Sequence, residues 1–318
     1  MPRITLEKAA EMLLKNDRVL ILMHKSPDGD AVGCGYGLAM ALRSIGKKAQ
    51  PLCGDEIPKM YSYLTDGFEV QEFEPELIVS VDLATTDLLN GKALEYKDKI
   101  ELCIDHHGSN TDYAQYSYVD GKSASCAEII KELLDKMGIV PDKLTADAIF
   151  TGVCTDTGSF KFSNVTPKTH RIAADLMELG ADSTEISRIM FDCKSRNKVE
   201  LERMILDTIE FSSDGRVAFV CITKEMMDKS GADKGETEGI AGLTKQIEGV
   251  KIGITMKEKE NGEFRISVRS SSDIDASAIC SQFGGGGHKA AAGCSIYKSL
   301  QEAKDAIMTA CINALEDS

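Results

Sequence analysis

Three of the five histidines in this sequence stand beside aspartates in short polar clusters. His24-Lys25-Ser26-Pro27-Asp28-Gly29-Asp30 joins one histidine to two acids, and Asp105-His106-His107 joins one acid to two histidines. Asp82 closes a short apolar run, and Asp156 lies in Gly152-Val153-Cys154-Thr155-Asp156-Thr157-Gly158. Carboxylate and imidazole without thiolate is the donor mix of hard or borderline divalent ions, Mn2+ first, with Zn, Co or Fe as substitutes. Acids packed together without a cation repel one another, and some of them protonate. Two divalent ions relieve that repulsion and form a pair, about 3.5–4 Å apart, that clamps the attacking and leaving oxygens at phosphorus. Singly, these residues are ordinary. A strand-end Asp commonly caps a helix or forms a turn, and His170 reads as structural. The concentration of His and Asp points to a metal centre.

The elements that must position these clusters follow from hydrophobic pattern. Continuous apolar runs at 18–24, 76–82 and 100–105 read as buried strands. They alternate with helical patterns at 5–16, 31–45, 123–137 and 143–154. This predicts an α/β domain with a parallel sheet and helices on both faces. Each predicted strand ends in His or Asp, and open parallel sheets bind ligands outside the carboxyl ends of their strands. From 167 to about 209 the pattern is helical, with a charged stretch at 192–203 that reads as a connector. The second half predicts a strand at 216–222, a glycine-containing helical stretch at 232–246, strands at 250–256, 263–270 and 294–297, a helix at 275–283 and a final helix from 300. The expected domains are 1–192, a helical connector 193–212, and a smaller α/β domain 213–318 with antiparallel character.

A second cluster lies in that smaller domain. Gly284-Gly285-Gly286-Gly287-His288-Lys289 follows a strand carrying Arg265 and Arg269 on one face, with Ser270 next. Backbone N–H groups of a glycine run can approach an anion closely, and a guanidinium can grip phosphate with two N–H groups. By contrast, Gly33-Cys34-Gly35-Tyr36-Gly37 has the wrong spacing for a dinucleotide fingerprint and lies inside a helical segment. The sequence has no P-loop.

Composition narrows the classes further. At 318 residues and 34.5 kDa the chain has the length of two domains. Its net charge of −14 disfavours long duplex DNA as a partner. There is no apolar run of membrane-spanning length and no signal-peptide pattern. The ten cysteines include no C-x-x-C pair, which removes a zinc knuckle and fits free thiols in a reducing cytoplasm.

Together these motifs resemble the DHH phosphoesterase superfamily. His24-x-x-x-Asp28-x-Asp30, Asp82, Asp105-His106-His107 and Asp156 look like its four successive motifs, and Gly285-Gly286-Gly287-His288 looks like the signature of its associated C-terminal domain. The two-domain length is most similar to the nanoRNase branch. The resemblance implies hydrolysis of short oligoribonucleotides to 5′-mononucleotides, of 3′-phosphoadenosine 5′-phosphate to AMP, or of both. Alternatives within the resemblance are cyclic or linear dinucleotides, inorganic pyrophosphate and RecJ-type exonuclease action. It implies two Mn2+ per site, with Co2+ or another divalent ion as substitute, and a cleft between the domains. His24, Asp28 and Asp82 would hold one ion. Asp30, Asp82, His106 and Asp156 would hold the other, with Asp82 shared. Asp105 would orient the histidines and His107 would face the substrate phosphate. Arg269, Ser270, Gly285, Gly286, Gly287 and His288 would bind the rest of the substrate. Expected partners are short RNA or nucleotides, with no membrane and with a homodimer as an open alternative.

Overall fold

The computed structural model describes residues 2–316 apart from 234, 238, 260 and 272. The chain divides into two compact units, Met1–Cys193 and Lys194–Ser318. The charged helix expected as a connector falls in the second.

The first unit runs α1 (Leu6–Lys15), β1 (Arg18–Leu22), α2 (Gly29–Ser44), β2 (Lys48–Leu52), α3 (Ser62–Thr65), β3 (Leu77–Val81), β4 (Leu102–Asp105), β5 (Tyr116–Val119), α4 (Cys126–Met137), α5 (Lys143–Asp156), α6 (Pro167–Glu178) and α7 (Ser183–Ser187). Its strands form one parallel sheet in the order β2-β1-β3-β4-β5. Alternate strand residues serve two cores, as the two-residue period of a strand requires. Val19, Ile21, Val79, Val81, Leu102 and Ile104 pack with α1, α2, α4 and α5. Leu20, Leu22, Ile78 and Cys103 pack on the other face against Leu89, Ala93 and Ile100, so that face is covered by the 3-10 segment Gly91–Lys99 and its flanking loops. Helices α2 and α5 cross at backbone contact. A Cβ on Gly33 would lie 2.4 Å from the Ala148 carbonyl oxygen, which explains this glycine without any nucleotide.

The second unit contains α8 (Arg196–Leu206), β6 (Glu210–Phe211), β7 (Val217–Ile222), α9 (Lys224–Ser230), β8 (Ile252–Glu258), β9 (Phe264–Ser270), α10 (Ala276–Ser281), β10 (Gly286–His288), β11 (Ala291–Ile296) and α11 (Leu300–Glu316). The sheet order is β10-β11-β9-β8-β7-β6, antiparallel except for the β7–β8 pair. One face buries Phe219, Ile254, Ile266 and Val268 under α10 and α11. On β9 the alternation leaves Arg265, Ser267 and Arg269 on the opposite face, fully or partly exposed.

Three differences from the sequence reading have local causes. The stretch 232–246 forms only short 3-10 turns where it is described (residues 234 and 238 lie outside the described residues). Gly235, Gly239 and Gly242 break its helical period. The glycine run, for which the sequence pattern predicts no strand, provides the edge strand β10. The edge strand β2, with Pro51 in it, carries no strand signature, since proline is tolerated only where no ladder partner needs its N–H.

Candidate metal centre

The order β2-β1-β3-β4-β5 reverses direction between β1 and β3, and the crevice outside such a switch point is where open parallel sheets bind ligands. The strands deliver the polar clusters there. His24 follows β1, and Asp82 follows β3 with its N–H on the Ile104 carbonyl of β4 at 3.0 Å. Asp105 ends β4, and His106 and His107 come next. Asp28 caps α2, accepting the N–H groups of Asp30 and Ala31 at 3.1 and 3.0 Å. Asp156 is the last residue of α5.

Asp82 is the hub. Its Oδ2 is 3.7 Å from His24 Nε2, and its Oδ1 is 3.5 Å from His106 Nε2 and 3.6 Å from His107 Nδ1. His24 Nε2 also lies 3.6 Å from Asp28, and His106 Nε2 lies 3.2 Å from Asp156 and 3.8 Å from Asp30. Ligands held about 2.1 Å from one ion stand roughly 3–3.5 Å from each other, so these spacings suit side chains around a cation. His24–Asp28–Asp82 and Asp30–His106–Asp156 each gather donor atoms within 4.8 Å, as does Asp82–His106–His107. Asp82 Oδ1 is buried without a hydrogen-bond partner. Its backbone has φ +51°, a left-handed conformation that costs a non-glycine residue roughly 1–2 kcal/mol. A buried, unpartnered carboxylate oxygen on a strained backbone fits a cation ligand.

Backbone carbonyls orient two of the histidines. His24 Nδ1 is 2.8 Å from the Lys25 oxygen, and His106 Nδ1 is 3.3 Å from the Ser123 oxygen. With Nδ1–H donated to a carbonyl, each Nε2 presents its lone pair to the carboxylates. Lone pair against carboxylate is repulsive unless a proton or a metal ion intervenes. His107 is held differently. Asp105 Oδ1 takes its Nδ1–H at 2.8 Å and also accepts the backbone N–H groups of His106 and His107. Asn110 secures the other oxygen of Asp105 at 2.6 Å. His107 keeps 43% of its side chain exposed, with Nε2 left available. The carbonyls of Lys25 and Ser123 and the amide of Asn110 had no motif that could have marked them.

Charge follows the geometry. Burial, then the Asp82 and Asp28 charges, push Asp156 up to about 8. Burial and the Asp82 and Asp156 charges raise Asp30, and burial raises Asp82 against the pull of His24. Burial would lower His24, but Asp28 and Asp82 outweigh it and lift it to about 11. The hydrogen bond to Asp105 lifts His107 to about 9. Without a metal ion the cluster therefore holds protons where an ion would place positive charge.

In the second unit, antiparallel register places His288 opposite Ala291 and Ala291 opposite Arg269, one row across β10, β11 and β9. Opposed residues share a face, so Arg269 and His288 flank a single alanine. Ser270, expected at the substrate, instead faces the core. Its hydroxyl donates to the Ile274 and Lys289 carbonyls at 2.9 and 3.0 Å, because the strand alternation turns it away from Arg269. Gly285 and Gly287 pass too close to β11 for any side chain, and Gly286 is open.

The sequence model of the DHH family N-terminal domain matches residues 18–153, and that of the DHHA1 domain matches residues 214–317. A Bifunctional oligoribonuclease and PAP phosphatase NrnA of Thermus thermophilus is 30% identical over 284 residues, 87% of this chain and 84% of the relative. The chain belongs to the DHH family. The NrnA protein of Bacillus subtilis is 28% identical over 286 residues, 88% of this chain and 90% of its own length. Both DHH relatives are named as hydrolases of phosphate esters, in agreement with the phosphoesterase class expected from the sequence. An exopolyphosphatase-related protein of Bacteroides fragilis shares the DHH fold, with a TM-score of 0.85 at 24% identity over 96% of this chain and 94% of that one. Among the described residues no helix is long and apolar enough to cross a membrane.

Proposed function

We propose that this DHH protein is a Mn2+-dependent phosphoesterase that hydrolyses short oligoribonucleotides to 5′-mononucleotides, 3′-phosphoadenosine 5′-phosphate to AMP, or both. The observation that carries the metal centre is Asp82. It is a buried, strained carboxylate facing two carbonyl-anchored histidines, and it belongs to two overlapping donor sets. His24, Asp28 and Asp82 would hold one ion, and Asp30, Asp82, His106 and Asp156 the other. When bound, the ions supply Lewis-acid stabilisation of the phosphoryl oxygens and lower the pKa of water.

The chain's own residues do the rest. Asp105 fixes the His107 ring through Nδ1, which leaves the half-exposed Nε2 edge to face a phosphoryl oxygen of the substrate. Arg269 and His288, one row apart on the open sheet face, suit the remaining phosphate or the base of the same substrate. Mn2+ suits the mixed carboxylate and imidazole donors better than Mg2+. All ten cysteines are unpaired, which fits a cytoplasmic setting.

The test is a panel of a diribonucleotide, 3′-phosphoadenosine 5′-phosphate, pyrophosphate and a cyclic dinucleotide, each with Mn2+. Mononucleotide or phosphate release from the first two supports the reading. Preference for pyrophosphate or the cyclic compound contradicts it.

A further inference from the structure

The second unit has an open pocket of about 660 Å3 lined by Lys259, Glu263, Arg265, Phe283, Tyr297 and the glycine run at Gly284 to Gly286. Arg269 and His288 are not part of it. The β-ladder explains the separation. Along the open face of β9, the Arg269–Ala291–His288 row is followed by Ser267–Gly293–Gly286, and then by Arg265 opposite Ser295. The middle row carries almost no side chain, so the face forms a shallow trough with a basic group at each end. Arg265 lies four residues from Arg269, about 13 Å along the strand, farther than the phosphates on either side of one nucleotide.

We propose that this pocket is a second nucleotide subsite, which takes a unit of an oligonucleotide beyond the one gripped by Arg269 and His288. The proposal rests on the oligoribonucleotide reading above. Its chemistry is that of a single-stranded nucleotide. Arg265 and Lys259 set two cations against the single carboxylate of Glu263, a local excess of positive charge in a chain of net charge −14 that suits one phosphodiester. Tyr297 leaves 69% of its surface in solvent at the pocket rim, and Phe283 lines the same pocket. Exposed aromatic surface beside cations is the usual platform for an unpaired base. Glu263, which accepts the Ser295 hydroxyl, keeps acceptor capacity for a base amino group. Gly286 leaves the trough open, because nothing lies within 4 Å of where its Cβ would be.

The experiment uses the full-length chain with Mn2+ and two fluorescein-labelled phosphorothioate probes, a diadenylate and a tetra-adenylate, read by anisotropy beside KM for the unmodified oligomers. Arg265→Ala and Tyr297→Ala should each weaken tetramer binding about tenfold, the size of a lost stacking or phosphate contact, and change dimer binding less than twofold. Arg265→Ala should also reduce the salt dependence of tetramer binding by roughly one phosphate. Equal losses on dimer and tetramer would put Arg265 in the same site as Arg269 and overturn the proposal, as would no loss on either. If the wild-type chain hydrolysed no oligoribonucleotide, the functional reading would fall on that result, while the anisotropy comparison would still decide whether the subsite exists.

Discussion

Asp30 and Cys126, 96 positions apart in sequence, meet at 2.6 Å, where the Asp30 carboxylate accepts the first N–H of α4. Its other oxygen accepts the Ala127 N–H at 2.9 Å and lies against Gly152, where a Cβ would come within 2.6 Å. One carboxylate thus anchors a helix N-terminus and faces His106. Asp82, its partner in the centre, anchors nothing through Oδ1. The two acids should separate in stability measurements. Asp30→Ala leaves two buried N–H groups unpaired and should cost the metal-free protein about 2–4 kcal/mol in urea unfolding. Asp82→Asn keeps a residue that tolerates positive φ and breaks no backbone anchor, giving up only the contact of Oδ2 with His24, so it should cost the metal-free protein less than Asp30→Ala does. Equal destabilisation by both would contradict the different roles.

The protons held by the metal-free cluster predict its pH dependence. Native Asp156 keeps its proton to about pH 8, against an ordinary value of 3.8. The native state then binds more protons than the unfolded state, so stability falls as pH rises across that window. His107, lifted from 6.5 to about 9, stabilises fully below 6.5 and loses that contribution as pH rises through 9. Both effects point the same way. The Tm of chelated protein should decline from pH 5 to pH 9. Mn2+ should raise Tm more at pH 8 than at pH 6, because ion binding displaces these protons. An ion-induced shift independent of pH would contradict this.

His107 and the ligands should separate in kinetics. Its Nδ1 is committed to Asp105, so His107→Ala should retain bound metal and lower kcat roughly 100-fold or more, the usual contribution of a positioned acid or donor. Arg269→Ala should instead raise KM with metal retained. Loss of metal from His107→Ala, measured by elemental analysis, would make it a ligand instead.

Much of the first unit was legible because buried parallel strands are continuous apolar runs, and each of the three runs ended in His or Asp. The edge strand β2 was not, since Lys48, Gln50 and Pro51 carry no such pattern. Ser270 was misplaced because adjacency to Arg269 in sequence means opposite faces in a strand. The cluster of His24, Asp28, Asp30, Asp82, Asp105, His106, His107 and Asp156 could be gathered from residue types and their places at element ends, whereas its division into proposed ligands rests on the family resemblance. The carbonyl anchors at Lys25 and Ser123 could not, because any residue supplies a carbonyl and only the fold selects which one. The edge strand β10 was hidden by glycines, which have no strand propensity and pair here because β11 lies too close for side chains at Gly285 and Gly287.

Metal stoichiometry tests the central claim, a two-ion centre sharing Asp82, most directly. Chelated wild-type protein and Asp82→Asn, loaded with Mn2+ and passed through a desalting column, would be compared by elemental analysis beside diribonucleotide hydrolysis. The account predicts two ions per wild-type chain, activity that returns only with the metal, and loss of both ions and activity in Asp82→Asn. Two ions retained in Asp82→Asn, or full wild-type activity after verified metal removal, would contradict it.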